Sequence, residues 1–182
     1  RVAALEERPT LVEADRAFLA APGGITRLAA CPPADLAGLV VAYWDKVRGA
    51  GIDPAGQTFV DMDPLKATRL PLIARLFPQA RILIMRRDPR DVVWSCFRTS
   101  FALSNAAMDF TTLEGAARHY DALMRLTEAA LAKLPLAVHE VPYHRMVQDF
   151  DATTRGFCQF IGLDWSEELQ RFDRTARARG VS

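Results

Sequence analysis

Arg81 to Met85, sequence RILIM, running directly into RRDPRDVVWS, constrains this chain more than any other stretch. An unbroken apolar run this short is too brief for a helix and has the character of a parallel strand buried on both faces. Asp88 and Pro89 follow within four residues of its end, and an aspartate before a proline supplies the N-cap and first position of a helix. Strand, tight turn and helix are therefore packed into fewer than twenty residues, which is the basic unit of an α/β fold.

The same alternation continues on both sides. Thr58 to Met62 reads as a strand, the segment around Pro71 to Phe77 as a helix stopped by Pro78, and Leu136 to Val141 as a third strand. Thr111 with Glu114 makes a capping box for a helix reaching about Leu134, with Leu113, Ala117, Tyr120, Met124 and Leu131 on its inner stripe. Asp151 is placed to cap a last helix, in which Phe157, Phe160 and Ile161 face inward before Gly162 ends it. The first 57 residues read as helical, with Leu36, Leu39, Val40, Tyr43, Trp44 and Val47 at helical spacing and Gly23 and Gly24 in a turn. A single domain of residues 1–182 is expected, a helical region 1–57 followed by an α/β part 58–182. Its opening on Arg1 rather than Met reads as a piece or a processed product.

Half of the 182 residues are hydrophobic, enough for one sizeable core. The 23 basic and 22 acidic residues leave a net charge of +1, so no global field recommends nucleic acid or an anionic membrane, and any anion site must be local. Cys31, Cys96 and Cys158 are odd in number and widely spaced, which argues against a disulfide framework or a zinc site and fits a reducing cytoplasm. No apolar run approaches the roughly 20 residues of a membrane span.

The chemistry sits where the RILIM strand hands over to its helix. Ligands of open α/β sheets bind outside the carboxyl ends of strands, and a helix start presents unpaired N–H groups. Arg87 and Arg90 add planar donors suited to phosphate oxygens. Ser95, four residues after Asp91, lies about one turn further along the same helix face. The competing reading pairs the two arginines with Asp88 and Asp91 and leaves Ser95 as filler.

Arg87 to Ser95, RDPRDVVWS, resembles the 3′-phosphate-binding segment of the cytosolic and tetratricopeptide-linked sulfotransferases. Phe59 to Leu83 is similar to that family's Asp-Lys-x-Pro strand, helix and Leu-Phe-Pro-x-Ala-Arg run. Val141 to Phe150 is similar to its Tyr-Glu-Asp-Leu-Val segment, and Gly162 to Trp165 to its Gly-Leu-x-Trp. The resemblance covers roughly residues 58 to 180. It implies an α/β, P-loop-NTPase-like parallel sheet flanked by helices and incomplete at the N-terminus. It also implies transfer of a sulfuryl group from 3′-phosphoadenosine 5′-phosphosulfate (PAPS), as co-substrate and without a metal, to a hydroxyl or amine on a small-molecule, carbohydrate or peptide acceptor. Arg87 and Ser95 would hold the 3′-phosphate, Tyr143 would lie against the adenine, and Arg179 and Gly180 stand where relatives close over that phosphate.

The sequence also departs from the family. No Gly/Ser/Thr-rich basic turn for the 5′-phosphosulfate is present. Met62 stands where relatives carry a lysine, with Lys66 as a substitute or as a solvated lysine. His144 replaces the glutamate after Tyr143. Asp61 and Asp63, at a strand end, are placed either to accept the acceptor's proton or to cap the next turn, so Asp61, Lys66 and His144 stand as the candidate catalytic residues. Two other readings compete: a P-loop nucleotide kinase-like phosphotransferase, and a degenerate sulfotransferase-like domain that binds without transferring.

Overall fold

The computed structural model describes residues 2–102 and 104–171. In chain order they form β1 (Val2–Glu6), α1 (Val12–Ala14) running into a π-helical turn (Asp15–Leu19), α2 (Gly24–Ala30), α3 (Pro33–Gly49) and β2 (Thr58–Met62). A 3₁₀ turn (Lys66–Arg69) leads into α4 (Leu70–Leu76), then β3 (Arg81–Arg86), α5 (Pro89–Arg98), α6 (Asn105–Asp109) and α7 (Leu113–Lys133). β4 (Ala137–Pro142), α8 (Tyr143–Gln148), α9 (Phe150–Ile161) and a 3₁₀ turn (Glu167–Arg171) complete them. No single helix among the described residues is long and apolar enough to cross a membrane. The chain divides into two compact units, residues 1–80 with 121–136, and residues 81–120 with 137–182.

In the first unit β1 and β2 pair in parallel, Val2 beside Thr58 through Glu6 beside Met62. Val2–Glu6 is thus a strand, not part of a helical region. Its Ala-rich five residues carry little strand propensity, and pairing with β2 decides their conformation. The expected stripe on α3 is present: Leu36, Tyr43 and Val47 are buried, joined by Leu28, Leu70, Leu72 and Leu76 from α2 and α4. Tyr43 stacks at a tilt on Phe77, 4.6 Å between ring centres, and Trp44 leans on Phe59 at 5.3 Å. Gly24 is required by a close approach, because a Cβ there would sit 1.5 Å from the Phe18 carbonyl oxygen.

In the second unit β3 and β4 pair in parallel from Arg81 beside Ala137 to Arg86 beside Pro142. The RILIM strand is less buried than its composition suggests. Ile82 and Ile84 are partly covered, but Leu83 and Met85 are 40% and 52% exposed, because a two-stranded sheet gives β3 one strand neighbour and less cover than a wide sheet. Asp88 caps α5 as expected, its side chain accepting from Arg90 N–H at 2.8 Å. Two other caps shift by one or two residues. Thr112 rather than Thr111 accepts at the start of α7, from Gly115 N–H at 3.0 Å, and Asp149 rather than Asp151 caps α9, accepting from Ala152 N–H. α7 contributes residues 113–120 to the second unit, where Ala116 is buried and Leu113 is 42% exposed, and residues 121–133 to the first, where Thr127 and Ala130 are buried, so the inner stripe differs from the one expected.

On α9 the innermost side chains are Thr154 and Cys158, with Phe157, Phe160 and Ile161 half-buried. Gly162 ends it at φ 78, and Leu163 N–H reaches back to the Cys158 carbonyl at 2.9 Å. Trp165 then folds onto the helix: its indole N–H donates to Thr154 Oγ1 at 2.8 Å, and the Arg155 guanidinium lies 3.6 Å from its ring centre. The Gly-Leu-Asp-Trp run is therefore a helix stop whose aromatic end satisfies a buried hydroxyl.

Candidate functional site

The register of β3 on β4 builds the first site. Because Arg86 stands beside Pro142 at the carboxyl ends of two parallel strands, the next residues, Arg87 and Tyr143, leave the sheet side by side. The Arg87 guanidinium carbon lies 5.3 Å from the centre of the Tyr143 ring, within range of a cation–π contact. Its Nε is 3.6 Å from the Asp91 carboxylate, both groups being about half exposed, so this ion pair is worth at most about 1 kcal/mol and yields readily to a better anion. A cleft of about 400 Å³ opens there, lined by Arg86, Arg87, Asp88, Asp91, Pro142, Tyr143 and His144.

The second arginine does not share the task. Arg90 turns back on its own cap, with Nε and a terminal nitrogen 3.0 and 2.8 Å from the two oxygens of Asp88. Of these two arginines, Arg87 lines the cleft and Arg90 does not. Ser95 is one turn beyond Asp91 on α5, so Asp91 and Ser95 share a helix face. Arg86 is bound to Glu140 across the sheet at 2.7 Å.

Hydrogen bonding by the Arg90 side chain, then by its backbone N–H, holds the Asp88 carboxyl at about 2. A carboxylate with a depressed pKa in the folded protein stabilises the fold above its ordinary value near 3.8 and loses that contribution as pH falls through about 2. Asp88→Asn is therefore expected to narrow its stability deficit against wild type as pH is lowered from 5 towards 2, read from urea midpoints at each pH. A deficit independent of pH over that window would show that charge on Asp88 adds nothing to its capping role.

The second site belongs to the first unit and centres on Asp61. Its carboxylate is nearly buried, 11% exposed, and accepts from Thr10 Oγ1 and from Tyr43 Oη, each at 2.9 Å. Lys66 completes the set with its ammonium on Asp61 Oδ1 and 3.4 Å from Thr10 Oγ1. Burial, then the charge and hydrogen bond of Asp61, push the Tyr43 phenol above its ordinary value. Lys66 is thus neither solvated nor turned outward; it is the counter-ion of Asp61. Asp63 accepts from Leu65 N–H at 2.8 Å, the turn-capping role open to it from its position.

Beside this hub, past the carboxyl ends of β1 and β2, a cleft of about 130 Å³ is lined by residues 7–12 together with Asp15, Asp63, Lys66 and Arg69. Glu7 enters it with φ 51, the one non-glycine in the left-handed region among the described residues, at a cost of roughly 1 kcal/mol or more. Its N–H donates to the Met62 carbonyl at 2.7 Å, so the distortion occurs where β1 leaves the sheet. Sequence reasoning passes over Glu7, Thr10 and Asp15, and places Tyr43 in the apolar stripe of its helix without a polar role. The available signal was Arg8-Pro9, since a residue before proline is pushed out of the helical region and breaks the helical reading of this segment.

The candidate catalytic residues therefore fall in two places, Asp61 and Lys66 in the first unit and His144 in the second. Arg87, Tyr143 and His144 line one cleft, with Ser95 on the helix that starts beside it. Arg179 and Gly180 lie outside the described residues. No group of three or more His, Cys, Asp or Glu side chains suited to a metal ion occurs among the described residues.

Two small parallel sheets whose strands are joined through helices, with polar clefts past the strands' carboxyl ends, define an α/β protein. Comparison of the sequence with known families narrows the class: the sulfotransferase family profile matches residues 12–167, and the chain belongs to that family. It is also similar to an uncharacterized protein of Aquifex aeolicus (strain VF5), 24% identical over 136 residues. Those residues make up 74% of this chain and 18% of that protein, so the chain spans under a fifth of the length of the relative it matches.

Proposed function

We propose that this protein transfers a sulfuryl group from 3′-phosphoadenosine 5′-phosphosulfate to a hydroxyl or amine, and that the second-unit cleft holds the 3′-phosphate end of the donor. The observation that carries the reading is Arg87 standing against Tyr143 where two parallel strands end together. A guanidinium grips a phosphate dianion with paired charge-assisted hydrogen bonds, and a tyrosine ring beside it offers a face for a purine. Ser95 adds a hydroxyl from α5, and His144 lines the same cleft. Family membership supports the same assignment.

Thermal unfolding of the full-length protein with separate nucleotides tests this. Adenosine 3′,5′-bisphosphate without Mg²⁺ is expected to raise the midpoint. Ligand at one hundred times its Kd stabilises by about 2.7 kcal/mol, which for a domain of this size corresponds to several degrees. ATP with Mg²⁺ is expected to do nothing comparable. A shift with ATP and Mg²⁺ but none with the bisphosphate would replace the proposal by a phosphotransferase. Met62, in place of the relatives' lysine, favours a second reading, a domain that binds donor without transferring; it predicts the thermal shift with no labelled sulfate passing to any acceptor.

A further inference from the structure

We infer that His144 makes the second-unit cleft a proton-dependent site for a doubly charged anion, which is held more tightly when the imidazole is protonated. Identifying that anion as the donor's 3′-phosphate rests on the function proposed above; the proton-dependent grip does not. Charge balance is the first ground. Around the cleft three guanidinium groups meet three carboxylates: Arg90 is bound to Asp88, Arg86 to Glu140, and Arg87 stands 3.6 Å from Asp91. With a neutral imidazole these charges cancel, and one proton on His144 leaves a net positive charge for a dianion to meet. On its own helix His144 is flanked by Tyr143, whose ring faces Arg87, and by Arg145; Asp149, between α8 and α9, is engaged by Ala152 N–H. Carboxylates, guanidinium groups and phenols ordinarily keep their charge between about pH 5 and 8, whereas imidazole changes its own in that window.

Availability is the second ground. The chain has three histidines. His119 is engaged with Asp109 at 2.9 Å, and His139 lies stacked on Phe160 with ring centres 5.3 Å apart. His144 lines the cleft beside Arg87, is exposed, and makes no hydrogen bond or ion pair among the described residues. Its ring nitrogens are open to a ligand's oxygens, and a protonated ring donates from both. A charge-assisted N–H···O bond to a dianion favours the protonated ring. Anion binding therefore draws a proton in, and by reciprocal coupling affinity rises as pH falls.

Calorimetric titration of the full-length protein between about pH 5 and 8 tests this with two probes, adenosine 3′,5′-bisphosphate and inorganic sulfate, on wild type, His144→Gln and His144→Lys. Sulfate stays dianionic throughout, and the second proton of a phosphate ester, which titrates at about pH 6, affects all three proteins alike. Wild type is expected to match His144→Gln at the alkaline end and to approach His144→Lys at the acid end, its affinity relative to His144→Gln rising about fivefold or more. Sulfate titrations in two buffers of different ionisation enthalpy are expected to show proton uptake by wild type and none by His144→Gln. Unfolding midpoints at each pH confirm that all three proteins are folded. An affinity ratio of wild type to His144→Gln that stays constant across the range with both probes would overturn the inference, and so would failure of both anions to bind. Bisphosphate that binds no better than sulfate removes the donor reading alone, and the ratio measured with sulfate then decides the role of His144.

Discussion

Asp61→Ala is expected to lower the stability of the fold by about 3 to 5 kcal/mol, the range for breaking a buried ion pair by removing one partner. The carboxylate is 11% exposed and Lys66 13%, so the ammonium left behind has little water to turn to, and the hydroxyls of Thr10 and Tyr43 lose their acceptor as well. Tyr43→Phe removes one of the three donors and is expected to cost about 1 kcal/mol. Replacing both charges, as in Asp61→Ala with Lys66→Met, is expected to recover part of the loss, because no unpaired ion remains. Urea unfolding of the full-length protein measures all three. A proton-accepting Asp61 behaves in the opposite way: its removal would leave the unfolding midpoint almost unchanged and abolish turnover. That pattern would end the description of Asp61 as the hub that joins α3, β2 and the turn after it.

Arg87→Ala is expected to weaken adenosine 3′,5′-bisphosphate binding by about 1.5 to 3 kcal/mol, the value of hydrogen bonds to a charged group, or roughly ten- to more than a hundredfold in Kd. The side chain is 43% exposed and its contact with Asp91 is a long one, so little has to be broken for the guanidinium to take a phosphate. Ser95→Ala is expected to cost about 1 kcal/mol, one neutral donor. Arg90→Ala is the contrast: its guanidinium is committed to Asp88 and directed into solvent, so affinity should stay within about threefold of wild type. Isothermal titration calorimetry separates the three. Equal losses for Arg87 and Arg90 would mean that net positive charge near α5 matters and the Tyr143-facing geometry does not.

Local chemistry was readable wherever a few neighbouring residues decide the outcome. The RILIM strand, the Asp88-Pro89 helix start, the apolar stripe of α3 and the glycine stop at Gly162 all follow from short-range rules, and the structure contains each of them. Caps were less secure where several capping residues stand close together, as at Thr111 and Thr112 or at Asp149 and Asp151, because the helix start is then chosen by packing of the whole helix. β1 escaped notice for a related reason: VAALE has no strand character until β2 lies beside it.

Of the two clefts, sequence spacing reached only the half of each that is continuous in the chain. Arg87 and Ser95 are linked through one helix, and Asp61 and Lys66 through one turn, so their proximity is a matter of helical and turn geometry. The partner residues come from far away. Tyr143 is brought to Arg87 by the pairing of Arg86 with Pro142, and Thr10 and Tyr43 are brought to Asp61 by packing between elements distant in sequence. By itself the sequence determined which side chains carry charge and where strands hand over to helices. Tertiary structure decided which neighbours those charges meet: Lys66 is packed against Asp61 among Thr10 and Tyr43, whereas Arg87 keeps only a long contact with Asp91 and stands against Tyr143, because strand register and long-range packing bring the distant residues in.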